Sequence, residues 1–150
     1  MKAMKIIVTG GAGFIGSNFC RWLLAQRENV DLLVIDALTY AGHQFSIEDL
    51  IDQKKIRFIH ANICDSQVWR EQLPHCQLIF NFAAESHVDR SIRSAQAFMQ
   101  TNILGVHTIL EGIRTYNPSA RLIQISTDEV YGSLGPSGQF SESSALAPNA

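Results

Sequence analysis

Five short runs rich in β-branched and other apolar residues punctuate the chain, at 5–9, 31–36, 56–60, 78–82 and 121–126. Each is mostly apolar rather than alternating, the pattern of a strand covered on both faces. Between them the period changes. Residues 14–26 are amphipathic and follow directly on glycines, 66–72 open behind Asp65 and Ser66 as caps, and a short helical stretch surrounds 47–51. The longest helical segment spans about 95–116, where Met99, Ile103, Val106, Leu110 and Ile113 recur three or four apart and predict one apolar stripe, mostly core. Strands alternating with helices predict an α/β, doubly wound parallel sheet of about five strands with flanking helices.

Residues 127–150 break this rhythm, holding Gly132, Gly135, Pro136, Gly138, five serines and Pro148 with no periodic segment. A structureless stretch this long is uncommon in a compact domain, so it is either a disordered tail or, the favoured expectation, a loop whose far anchor has been removed with the rest of the protein. The chain divides into a core at 1–126 and, within the same domain, an active-site loop and tail at 127–150. At 150 residues it fits one domain.

Composition narrows the function classes. A net charge of −2 provides no basic field for nucleic acid. No apolar run approaches the ~20 residues a membrane helix needs, and the apolar stretch at 6–8 is too short for a secretory signal, so the expected location is cytoplasmic. Cys20, Cys64 and Cys76 lack C-x-x-C spacing and read as free thiols. His43, His60, His75 and His107 show no metal-ligand spacing, His87 reads as a loop residue, and no metal is expected.

Chemistry enters immediately after the first strand, where Thr9-Gly10-Gly11-Ala12-Gly13-Phe14-Ile15-Gly16 sets glycines at 10, 13 and 16 between a strand and a helix. In that context glycine permits a tight turn and close approach to a pyrophosphate, Gly16 lets helix and strand pack, and the helix N-terminal amides face the anion. This predicts a Rossmann-like dinucleotide site. Asp36 ends the second strand twenty residues beyond Gly16, placed to accept ribose hydroxyls and to repel a 2′-phosphate, which favours NAD over NADP.

Three further blocks join the glycine turn: Asp36-Ala37-Leu38-Thr39-Tyr40-Ala41-Gly42, Ala83-Ala84-Glu85-Ser86-His87-Val88-Asp89-Arg90-Ser91-Ile92, and Ser126-Thr127-Asp128-Glu129-Val130-Tyr131-Gly132. With them the sequence resembles the extended short-chain dehydrogenase/reductases, and within these the dTDP-glucose 4,6-dehydratases. That resemblance implies Phe14 and Ile15 against the pyrophosphate and Asp36, Ala37, Leu38 and Thr39 around the adenosine ribose. It implies Asn62 and Ile63 beside adenine, and Phe82, Ala83, Ala84, Ser86 and Thr101 on the nicotinamide side. Asn62 stands where the family usually has aspartate; its carbonyl is expected to accept the adenine amine's hydrogen bond, with a modest change in affinity.

The resemblance also implies the reaction: oxidation at C4 of a nucleotide-sugar substrate, loss of water across C5 and C6, and reduction at C6. Elimination pairs a base with an acid. Glu129 is the expected base, Asp128 the acid, and Thr127 a hydrogen-bond donor near the C4 oxygen. The family's oxidising tyrosine is followed four residues later by lysine, whereas Tyr40, Tyr116 and Tyr131 are followed at that spacing by Gln44, Ala120 and Gly135. The chain is therefore expected to be a fragment truncated before the Tyr/Lys helix, binding NAD weakly without turnover, with its fifth strand an uncovered edge and the full-length protein a homodimer. A related epimerase or decarboxylase, which should lack the adjacent acids, and a non-catalytic NAD-binding module remain as alternatives.

Overall fold

The computed structural model describes residues 3–87 and 95–149; the 88–92 portion of the third sequence block lies outside them. Among the described residues, five parallel strands form one sheet: β1 (Met4–Thr9), β2 (Val30–Asp36), β3 (Arg57–His60), β4 (Leu78–Asn81) and β5 (Arg121–Gln124), in spatial order β3-β2-β1-β4-β5. The order reverses at β1. One half winds outward through β2 and β3, the other through β4 and β5, so the crevice for a ligand opens at the carboxyl ends beside β1.

The strands are apolar on both faces because each face has its own helices. Ile6, Val8, Leu32 and Val34 meet Cys20 and Leu23 of α1 (Phe14–Gln26), together with Ile47 and Leu50 from a 3-10 turn (Gln44–Ile47) and α2 (Glu48–Asp52). Ile7, Leu33, Ile35 and Ile79 point the other way, onto Trp69 of α3 (Ser66–Gln72) and Ile109 of the long helix. Period-2 alternation thus feeds two cores. Asp65 caps α3 by accepting from the Gln67 amide at 2.9 Å, as its position before the helical run predicts.

The long helix departs from the expected register. It starts as α4 (Ala95–Phe98), widens into a π-helix (Met99–Gly105) and continues as α5 (Val106–Tyr116). The expected core stripe is corrected: Met99, Ile103 and Leu110 are 61%, 63% and 51% exposed, and Val106 and Ile113 are half-buried. The buried positions are Gly105, Ile109 and Gly112. The physical reason is close approach. A Cβ on Gly112 would sit 2.9 Å from Leu73 Cδ1 and from Trp69 Cβ, and one on Gly105 would overlap Ile63 Cδ1. The face that fits is the one without side chains, and the π turns shift the count so that a 3.6-residue stripe read across them does not stay on one side.

The segment after β5 is also more organised than a structureless loop. Asp128–Tyr131 form a 3-10 turn, the Ala147 amide returns to Val130 O at 3.0 Å, and Tyr131 stacks on Phe140 with centroids 5.1 Å apart. β5 itself lies at the sheet edge, with Ile123 exposed. The cysteines are free, Cys20 and Cys76 buried and Cys64 half-buried, as expected. Among the described residues no helix is long and apolar enough to cross a membrane.

Candidate functional site

At the switch point the chain makes its tightest crossing. Gly10 has φ +66°, and a Cβ there would lie 2.6 Å from Ala83 N and 2.7 Å from Phe82 C, so the segment leaving β1 lies directly against the one leaving β4. Only glycine meets both requirements. A Cβ on Gly16 would strike the Gly10 carbonyl, so that glycine lets α1 seat on the turn. Gly13 is the N-cap of α1, with no side-chain cap and no acidic residue in the first turn. The first amides of α1 are therefore left for an anion.

Asp36 stands across this turn, 8% exposed. Its Oδ2 accepts from the Ala12 amide at 2.9 Å and its Oδ1 from the Leu38 amide at 2.8 Å. The carboxylate thus ties the end of β2 to the glycine turn, a second role beyond the expected ribose contact. Each oxygen keeps a lone pair for a further donor.

A second buried polar chain runs under the other half of the crevice. The Thr9 hydroxyl donates to Asn81 Oδ1, and Asn81 Nδ2 donates to Gln124 Oε1 at 2.7 Å. These three residues are register neighbours on β1, β4 and β5, with Thr9 and Asn81 fully buried. The chain of amides fixes the strand ends that launch the glycine turn, the 82–87 segment and Thr127.

An open cleft follows these strand ends. Of the expected residues, Gly10, Gly13, Asp36, Ala37, Thr39, Asn62, Ile63, Phe82, Ala83, Ala84 and Thr101 line it together. Phe14 and Ile15, 85% and 64% exposed, instead flank an adjacent apolar depression with Phe19, Trp22 and Phe82. Leu38, at φ +49°, packs against the α1-side core, so its side chain does not face the cleft, and Ser86 is exposed beyond it. The resemblance had implied both as cleft neighbours.

Thr127, Asp128 and Glu129 leave the end of β5, all exposed and outside the cleft lining. Thr127 caps the 3-10 turn: its Oγ1 accepts from the Glu129 amide at 3.3 Å and donates to Asp128 Oδ1 at 3.2 Å. The hydroxyl thus ties the Asp128 carboxylate and the Glu129 backbone amide to one short turn at the end of β5.

Sequence reasoning missed Ile35, Ala41, Gly42, Ala61 and Glu85 in the lining, and it missed Asn102 altogether. Asn102, on the π-helical turn beside Thr101, accepts from the Glu85 amide at 2.9 Å and donates to the Glu85 carbonyl at 2.8 Å. That two-point clamp holds the segment carrying Ala83, Ala84 and Ser86. The available signal was an asparagine inside a helical run, where it is unfavourable unless its amide bonds elsewhere. Among the described residues, no three His, Cys, Asp or Glu side chains gather as a metal site would require.

A parallel sheet that reverses at β1, with a glycine turn, an uncapped helix end and an acidic residue closing the neighbouring strand, defines a Rossmann-like dinucleotide-binding fold. The family model described as GDP-mannose 4,6 dehydratase matches residues 7–150, and the chain belongs to that family. It is 45% identical to a probable dTDP-glucose 4,6-dehydratase of Sinorhizobium fredii over 97% of this chain and 44% of that protein. It is 42% identical to the dTDP-glucose 4,6-dehydratase of Streptomyces niveus over 98% of this chain and 44% of that one. The chain thus spans less than half the length of these curated relatives.

Among solved structures, the dTDP-glucose 4,6-dehydratase DesIV of Streptomyces venezuelae, crystallised with NAD bound, superposes with a TM-score of 0.89 at 44% identity, covering 97% of this chain and 46% of that one. A UDP-Glc/GlcNAc 4-epimerase of Campylobacter jejuni superposes with a TM-score of 0.85 at 28% identity, covering 97% and 44% respectively. The fold is common to both activities; the higher identity lies with the dehydratase.

Proposed function

We propose that this chain is the NAD-binding part of a nucleotide-sugar 4,6-dehydratase acting on dTDP-glucose. The observation that carries the reading is the cleft itself, which crosses the strand ends from Ala83 and Ala84, past Gly10 and Gly13, to Asp36 and then Asn62. A diphosphate at the α1 amides divides a dinucleotide between the two halves of the sheet. The adenosine half then lies over β2 and β3, and the nicotinamide half over β4 toward β5.

Asp36 receives the adenosine ribose hydroxyls and disfavours a 2′-phosphate, while Ala83, Ala84 and Thr101 wall the nicotinamide side. When bound, NAD supplies acceptance of hydride from the sugar C4 and its return to C6. The chain's own residues serve the elimination between these events: Glu129 takes the C5 proton, Asp128 protonates the leaving C6 hydroxyl, and Thr127 donates to the C4 oxygen. Residues 127–149 belong to the same domain as the strands and carry this chemistry. None of the three tyrosines has a lysine four residues on, so these 150 residues alone lack the oxidising pair and are not expected to turn over. The whole protein acts as a cytoplasmic homodimer.

Calorimetry with NAD and NADP tests the cofactor half of the reading, and assay of the full-length protein on dTDP-glucose and GDP-mannose tests the substrate half. Preference for NAD and formation of a 4-keto-6-deoxy product from dTDP-glucose are expected. Tighter NADP binding, or product from GDP-mannose alone, refutes the corresponding half.

A further inference from the structure

The connection leaving β2 folds back onto Asp36 through a residue that has no side chain. The Gly42 amide donates to Thr39 O at 3.2 Å, closing the turn 39–42, and the next amide, His43 N, donates to Ala12 O at 3.1 Å, which pins that turn to the glycine turn after β1. Gly42 and Asp36 line the same cleft. A Cβ on Gly42 would lie 2.5 Å from Asp36 Oδ1, 3.2 Å from its Cγ and 3.3 Å from Leu38 Cα. Gly42 is not among the glycines with positive φ, so its backbone conformation is open to alanine, and what the missing side chain leaves room for is the carboxylate.

We propose that Gly42 is a positioning residue for the dinucleotide: the space it leaves beside Oδ1 lets the Asp36 carboxylate accept from the Leu38 and Ala12 amides together, so that preference for NAD over NADP belongs to this pair of positions and not to Asp36 alone. The inference rests on the dinucleotide reading above and adds what aims its acidic residue. Neither side yields freely. Gly42 is held by its own bond to Thr39 and by that of His43 to Ala12, and Asp36, 8% exposed, is held by amides at 2.9 and 2.8 Å. Rotating a side chain is softer than moving an anchored backbone, and the oxygen that a Cβ strikes is the one that accepts from Leu38. A methyl group at position 42 therefore turns the carboxylate off the Leu38 amide, and the lone pairs left for ribose hydroxyls turn with it. The effect on the ligand passes through Asp36, so it requires that carboxylate to be present.

The test is calorimetric titration of the full-length protein with NAD and NADP, as wild type, Gly42→Ala, Asp36→Ala and the double variant. G42A should weaken NAD by about tenfold, the size of one charge-assisted hydrogen bond, and NADP by less than about threefold. In the D36A background the same substitution should change NAD affinity by less than about twofold, because the oxygen it strikes is gone. The melting temperatures of the four unliganded proteins give the same cycle, with a drop from G42A in the wild type and none in D36A. A glycine needed only for packing would instead weaken both dinucleotides alike and cost the same in both backgrounds. An unchanged ratio of NAD to NADP affinity in G42A, or equal losses of affinity or melting temperature in the two backgrounds, overturns the inference and leaves the dinucleotide reading standing. If G42A does not fold, the double variant decides: melting at the temperature of D36A supports the inference, and melting below it overturns it. Failure of the wild type to bind either dinucleotide overturns both.

Discussion

Substituting Asp36→Asn separates the backbone tie that the structure gives this carboxylate from the ribose contact proposed for it. If Asp36 only received a ribose, the isosteric amide would weaken NAD binding and leave the unliganded protein unaffected. The structure predicts otherwise, because two backbone donors converge on its oxygens: Ala12 N at 2.9 Å and Leu38 N at 2.8 Å, around a side chain that is 8% exposed. An asparagine offers one oxygen, so whichever way it turns, one of the two amides faces an NH₂. Stranding a buried donor costs about 1–3 kcal/mol. Losing the charge from the remaining bond adds to it, so about 2–3 kcal/mol is expected without ligand. For a chain of this size that lowers the Tm by roughly 4–12 °C. Urea denaturation of the unliganded wild-type and D36N proteins, followed by circular dichroism, measures the difference. Coincident midpoints with equal slopes would refute the argument and return Asp36 to a ligand contact alone. The result also bears on any attempt to change cofactor preference at Asp36, since removing this charge would loosen the glycine turn itself.

Three other outcomes follow from the packing. Gly112→Ala should destabilise by about 1–3 kcal/mol in denaturant melts, because its Cβ meets Trp69 and Leu73 at 2.9 Å, whereas Ile103→Ser on the 63% exposed position should stay within about 0.5 kcal/mol. The reverse ranking would restore the apolar stripe as core. Gly10→Ala should cost about 3 kcal/mol or more and abolish NAD binding in the same calorimetric assay, since φ +66° and backbone atoms of Phe82 and Ala83 oppose the added carbon together. Burial pushes the Cys20 thiol up to about 12, so at pH 8 iodoacetamide should label native protein at Cys64 before Cys20 or Cys76, by peptide mass mapping. The folded state holds this proton more tightly than the unfolded chain does, so the Cys20 contribution to stability is complete below about pH 9 and declines as pH rises toward 12.

The linear sequence was sufficient where the physics is local. The limits of α1 and α3 follow from glycine before Phe14 and the Asp65 cap before Ser66, and strand alternation with helices implied the parallel sheet. The glycine turn was legible because backbone conformation and close approach both demand that residue. Tertiary structure decided what depends on a neighbour distant in the chain. Periodicity found a stripe on the long helix but could not reveal that Gly105 and Gly112 face Ile63 and Trp69, nor that π turns intervene. The same holds for Asp36, whose partners lie 24 residues back and 2 ahead, and for the Asn102 clamp across 17 residues. Hydrogen-bonding sense is set by whichever donor the fold delivers. Burial is likewise set by how close two backbones can come, and neither quantity belongs to a residue in isolation.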